Sequence, residues 1–220
     1  FTAVYSQSLV ASRGRGGGRP LSRPAFDEAF PILMSKQWWG CTVSPVSVHD
    51  AWLTEGLASF SGSLFDTAAG DFDNYKSHWT KGREFLLANA FGWGKANDTG
   101  PLWLGLLNET GKTPRAGSML NSWKGSFIIQ MLRSLFWDPR TGDADFHAML
   151  KDFLQQFKNR AVSSEDFEAV VEKHMKPVMD LGHNHSMGWF FSEWLLTTDV
   201  PSYRLEYSLT PQQGGKVVVT

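Results

Sequence analysis

Apolar positions recur every three or four residues along most of the chain. Between Ala51 and Ala69 they fall at Trp52, Leu53, Leu57, Phe60, Leu64 and Phe65, the stripe of a helix that buries one face. The same period predicts helices from Pro31 to about Trp39, from Asp71 to about Phe91, over 118–136, 143–159 and 164–175, and from Met187 to Leu196. Punctuation agrees with these limits. Pro31 suits a first helical turn, where its missing N–H costs nothing. Gly40 suits a carboxy-terminal cap, Asp71 an amino-terminal one, and Ser163-Ser164-Glu165-Asp166 a capping start. Pro177 ends the helix before it. Gly92 to Gly117 is punctuated by Pro and Gly and reads as a long connection. A period of two occurs at 203–208, with a second strand candidate at 216–219. The pattern therefore predicts a mainly α, multi-helix domain over 26–200. An irregular Gly/Arg-rich lead-in (1–25) precedes it, and a strand segment (201–220) leads toward a following β domain.

Composition narrows the function classes. The formal net charge of −1 over 220 residues offers no electrostatic footing for nucleic acid or an anionic membrane. The loop Arg13-Gly14-Arg15-Gly16-Gly17-Gly18-Arg19-Pro20 lacks the G-K-[ST] ending of a phosphate-binding loop and reads as basic and flexible. Ten Trp and sixteen Phe concentrate in the predicted helices, which points to packing between long helices, with an aromatic-lined groove as the other reading. The single Cys41 has no partner for an internal disulfide. No apolar run is long enough for a spanning helix. The chain begins at Phe1 without an initiator Met, as a piece of a larger protein would. No signal peptide is visible, and the compartment stays open, an extracytoplasmic one included.

The chemistry concentrates in two segments, Gln37-Trp38-Trp39-Gly40 and His49-Asp50-Ala51-Trp52-Leu53-Thr54-Glu55-Gly56. Together they resemble the zinc core of the membrane alanyl aminopeptidase family, a group of gluzincin metallopeptidases. In that family H-E-x-x-H stands directly before Q-W-W-G, and the glutamate of W-L-x-E-G is the third zinc ligand. The window here reads Ile32-Leu33-Met34-Ser35-Lys36, and Glu55 falls nineteen positions after Lys36, at the family spacing. Lys124-Gly125-Ser126-Phe127-Ile128-Ile129-Gln130-Met131-Leu132-Arg133 is similar to the family's K-G helix. Ser122 stands where that family has its oxyanion-stabilising tyrosine. Trp189-Phe190-Phe191-Ser192-Glu193-Trp194-Leu195, followed by Val200-Pro201-Ser202-Tyr203, resembles the segment that closes the family's helical domain. The resemblance runs from about Phe26 to Tyr207. The family's upstream G-x-M-E-N segment does not occur.

What the resemblance implies is a fold like the carboxy-terminal helical part of a thermolysin-like catalytic domain, with the catalysis removed. Two histidines at i and i+4 hold Zn²⁺ through imidazole nitrogens, and the glutamate beside them is the base for the bound water. Ile32 and Leu33 carry no lone pairs, and the Lys36 ammonium repels a dication. Serine at 122 is too short to replace a phenol. The expectation is a catalytically inactive metallopeptidase-like domain without a cofactor. It would bind or scaffold in a larger protein, with a peptide or protein ligand in the vestigial cleft and adjoining domains of the parent as partners. The alternative is an active zinc aminopeptidase with relocated ligands. A carboxylate stripped of its dication needs another partner, so the Lys36 ammonium is expected within about 4 Å of Glu55.

The other candidates read as structural. His183 and His185 form an H-x-H pair expected in an exposed loop. His49-Asp50 is expected to be a structural pair. His78, His147 and His174 stand singly in predicted helices, and Lys124 and Arg133 read as surface or helix-capping charges.

Overall fold

The computed structural model describes residues 30–89, 92, 94–201, 204, 206–211 and 217–219. Residues 1–29, with the expected lead-in, lie outside them. The described chain is mainly helical. Residues 30–35 are helical and lead through a turn to β1 (Val43–Pro45). Helix α1 (Ala51–Ala68) and helix α2 (Phe72–Leu87) follow. Two 3₁₀ turns, Ala96–Thr99 and Leu102–Asn108, occupy the predicted connection. Helix α3 (Ala116–Met119) runs through a π-helical turn (Leu120–Lys124) into α4 (Gly125–Phe136). Then come α5 (Ala144–Gln156), β2 (Arg160–Val162), α6 (Ser164–His174), a 3₁₀ turn at Pro177–Met179, and α7 (Gly188–Leu196). Strands β3 (Leu209–Pro211) and β4 (Val217–Val219) close the order.

The capping residues act as their chemistry dictates. Asp71 accepts from the Asn74 N–H at the start of α2. Ser163 and Asp166 form a reciprocal capping box at the start of α6. Gly40, expected as a carboxy-terminal cap, lies five residues past the end of the helix at Ser35; it adopts φ +123 and turns the chain back, its N–H donating to the Val43 carbonyl.

Four expectations change. The first helix ends at Ser35, not near Trp39, and Lys36–Trp38 form a turn. The second full helix stops at Leu87, because Ala88 turns extended. Residues 204 and 206–208 are not in a strand, and Arg204, Glu206 and Tyr207 are exposed. Alternation stabilises a strand only where a neighbouring face buries every second residue, and here the hairpin forms further on, with Leu209 opposite Val219. The parallel pair β1–β2, with Val43 opposite Arg160, was not expected, since three residues carry too little period to read.

One hydrophobic core extends from Trp39 to Leu195. Trp52, Phe60, Phe136, Phe146, Phe153 and Phe167 are fully buried in it. Phe60 meets Phe146 edge-on at 5.7 Å, and Phe153 meets Phe167 at 5.0 Å. Ten described Trp and Phe side chains are buried in this core, and Trp79, Trp123, Phe127 and Trp194 pack against it, whereas Phe30, Phe65, Phe72, Trp38, Trp103, Trp137 and Trp189 are exposed. The central crossing is α1 on α4. A Cβ placed on Gly56 would stand 2.6 Å from the Gly125 carbonyl carbon, so the two motif glycines exist to let backbones meet.

Candidate functional site

Three elements converge on the site: the helical segment 30–35 with its turn, α1, and the π-helical turn. Ile32 packs on α1 where Gly62 leaves room, since a Cβ there would stand 2.5 Å from Ile32 Cγ1. One turn further on, Lys36 reaches Glu55. Its Nζ donates to both carboxylate oxygens, at 2.7 Å to Oε1 and 2.8 Å to Oε2. The sequence placed this ammonium within about 4 Å of that carboxylate, and the observed geometry is tighter. Both side chains remain about one-third exposed, at 34% and 36%. The ammonium thus occupies the carboxylate's coordinating edge, and water still reaches the pair.

The donor set does not fit a catalytic metal. Ile32 and Leu33 bring no donor atom, Lys36 brings a cation, and one carboxylate cannot make three ligands. Among the described residues no group of three His, Cys, Asp or Glu side chains is placed to hold a metal ion. Ser122 lies half-buried in the π turn, which packs on α1. π turns often mark functional positions, and this one sets Trp123 into the notch left by Gly82, where a Cβ would stand 2.3 Å from the indole.

The His49-Asp50 pair is structural in its contacts. Asp50 accepts from the Ser164 N–H (2.8 Å), the Ser164 hydroxyl (2.9 Å) and the Ser47 hydroxyl (2.7 Å). It thereby places a negative charge at the amino terminus of α6. Trp52 Nε1 completes the knot by donating to Ser164 Oγ at 2.9 Å. His49 stacks on Trp103 at 3.9 Å and bonds its carbonyl through Nδ1 at 2.6 Å. His183 and His185 are exposed, in a loop whose backbone is gathered by the Asp180 carboxylate. His78 contacts the rings of Trp123 and Trp79, His147 that of Phe146, and His174 bonds Asp152 at 2.8 Å.

Lys124 corrects the sequence reading. It is 4% exposed, and its Nζ donates to the Thr197 carbonyl at 2.9 Å. Burial pushes its pKa down to about 8, although Glu193 and Asp199 pull it upward. The signal was present: Leu120, Lys124 and Ile128 recur every four residues, and all three are buried. Arg133 is no free surface charge either, since it pairs with Asp143 and holds that carboxyl below the usual carboxylate range.

A cleft of about 280 Å³ opens between α1, α2 and the π turn, lined by Asp66, His78, Lys81, Phe85 and Trp123 among others. Gly62 also lines it, seven residues (about two turns) along α1 from Glu55. Sequence periodicity alone did not reveal this cleft, because its residues come from three separate elements. No protein-family model matches the chain, and no curated protein matches it.

Proposed function

We propose that the chain is a metallopeptidase-like domain of the aminopeptidase family that has lost its metal chemistry and keeps the fold for binding or scaffolding in a larger protein. The observation that carries this reading is the two-pronged contact of Lys36 on Glu55. A lysine stands at the second histidine's position and its ammonium satisfies the carboxylate in the dication's stead, so the carboxylate is spent as a cross-link between the turn after 30–35 and α1. With Leu33 in place of a base and Ser122 in place of a phenol, metal, base and oxyanion donor are lost together, and such groups act as a unit. What survives is the scaffold: the glycine crossing, the Asp50 knot and a partly enclosed cleft along the Glu55 helix. A peptide or protein segment is the ligand class for that cleft, and domains of the parent protein are the scaffolding partners.

The test is restoration. The chain as it stands should neither bind zinc nor turn over aminoacyl or peptide substrates. A variant carrying Ile32→His, Leu33→Glu and Lys36→His should bind one zinc before it gains any activity. Metal-dependent turnover by the unaltered chain, abolished by Glu55→Ala, would overturn the reading. A restored variant that folds yet binds no zinc would show that the frame is not that of a gluzincin.

A further inference from the structure

Helix α7 ends at Leu196, and the chain leaves it extended at Thr197, with φ −116 and ψ 165. Residues 198–201 are exposed, and among the described residues they make no backbone–backbone hydrogen bond. Two side chains from distant elements hold this stretch instead. Lys124 Nζ, from the π turn, donates to the Thr197 carbonyl at 2.9 Å. Asn97 Nδ2, from the first 3₁₀ turn, donates to the Thr198 carbonyl at 2.5 Å. Both donor residues are nearly inaccessible, at 4% and 3% exposed. An exposed segment is thus fastened at two successive carbonyls by two buried donors.

We propose that residues 197–201 form a strap latched by Lys124 and Asn97, and that opening of the strap is coupled to proton uptake by the Lys124 amine. Closed, the amine sits out of water. The charged groups that act on it are Glu193 of α7 and Asp199 of the strap itself, and they offset only part of the desolvation that lowers its pKa to about 8. Opening the strap admits water and returns the amine to the ordinary lysine range. Between those two limits the open form holds more protons than the closed one, so opening becomes harder as pH rises. Below the closed-form value both forms carry the ammonium, and this group no longer makes opening depend on pH. A neutral amine still has N–H bonds for the Thr197 carbonyl, so deprotonation does not undo the latch.

The experiment is limited proteolysis of the full chain by subtilisin. Cuts within 197–201 are located by mass spectrometry, and rates are normalised at each pH to a free peptide of the same sequence. Normalised cleavage should fall about tenfold between roughly pH 8 and pH 9.5. Lys124→Met should remove that slope. Asn97→Ala should raise cleavage about tenfold at every pH while keeping the slope. A flat wild-type profile, a slope that survives Lys124→Met, or an Asn97→Ala variant cut no faster than the parent would each overturn the proposal. If Lys124→Met does not fold, the wild-type profile and the Asn97 variant decide.

Discussion

Lys36→Met removes the ammonium and keeps a long side chain, so it isolates what the ion pair contributes. Two limits bound the effect. Breaking a buried pair costs about 3–5 kcal/mol, because the surviving charge is left without water or partner. An exposed pair is worth about 0.2–1 kcal/mol. Side-chain exposures of 34% and 36% put this pair nearer the second limit, since a bared Glu55 can be hydrated. The short contacts of 2.7 and 2.8 Å to both oxygens put it at the upper end of that range. The expected coupling is therefore about 1 kcal/mol, or a few degrees in Tm for a chain of this size. Urea denaturation of the parent, Lys36→Met, Glu55→Gln and the double variant gives the coupling as the departure from additivity. It should shrink in about 1 M salt, where the Debye length falls to about 3 Å. Additivity within about 0.3 kcal/mol would refute the pairing as a structural cross-link. A coupling near 4 kcal/mol would show that the site is closed to water.

Three further outcomes follow from the packing. Gly56→Ala should destabilise the domain by about 3 kcal/mol in denaturant melts, because its methyl would meet Gly125 backbone, which cannot step aside as a side chain can. Asp50→Ala should cost about 2–3 kcal/mol by the same assay, since it strands the buried Ser164 N–H and hydroxyl at the start of α6. The folded state holds Lys124 near a pKa of about 8 and the unfolded chain at the ordinary lysine value of 10.5, so the unfolded chain binds more protons between those values. Global stability should therefore rise by up to about 3 kcal/mol across that window, and Lys124→Met should flatten the rise.

The helices could be read ahead of the structure because each buries one face, and a buried face writes its period into the chain. The Ser163–Asp166 box and the Asp71 cap were legible for the related reason that orphan N–H groups demand particular side chains. The Lys36–Glu55 contact was legible only through the family resemblance, which sets Lys36 at a metal ligand's position facing Glu55. Its exposure was not, because that depends on how the segments pack. The parallel pair β1–β2 could not be read, since its partners are three-residue strands separated by most of the domain. Of the two readings of Lys124, a surface or a helix-capping charge, the first fails against the apolar phase of Leu120 and Ile128, and the bond to the Thr197 carbonyl at the end of α7 agrees with the second. Of the strand expected at 203–208, the described residues 204 and 206–208 lie outside any strand, and Tyr207 is exposed.

The central claim is that an ammonium, and not a metal, satisfies Glu55. The most direct measurement is the zinc content of the purified chain after incubation with excess zinc and desalting, read by atomic emission beside a Glu55→Ala control. Closure by Lys36 requires zinc far below one equivalent, equal in parent and control. One zinc per chain in the parent, lost in Glu55→Ala, would contradict it.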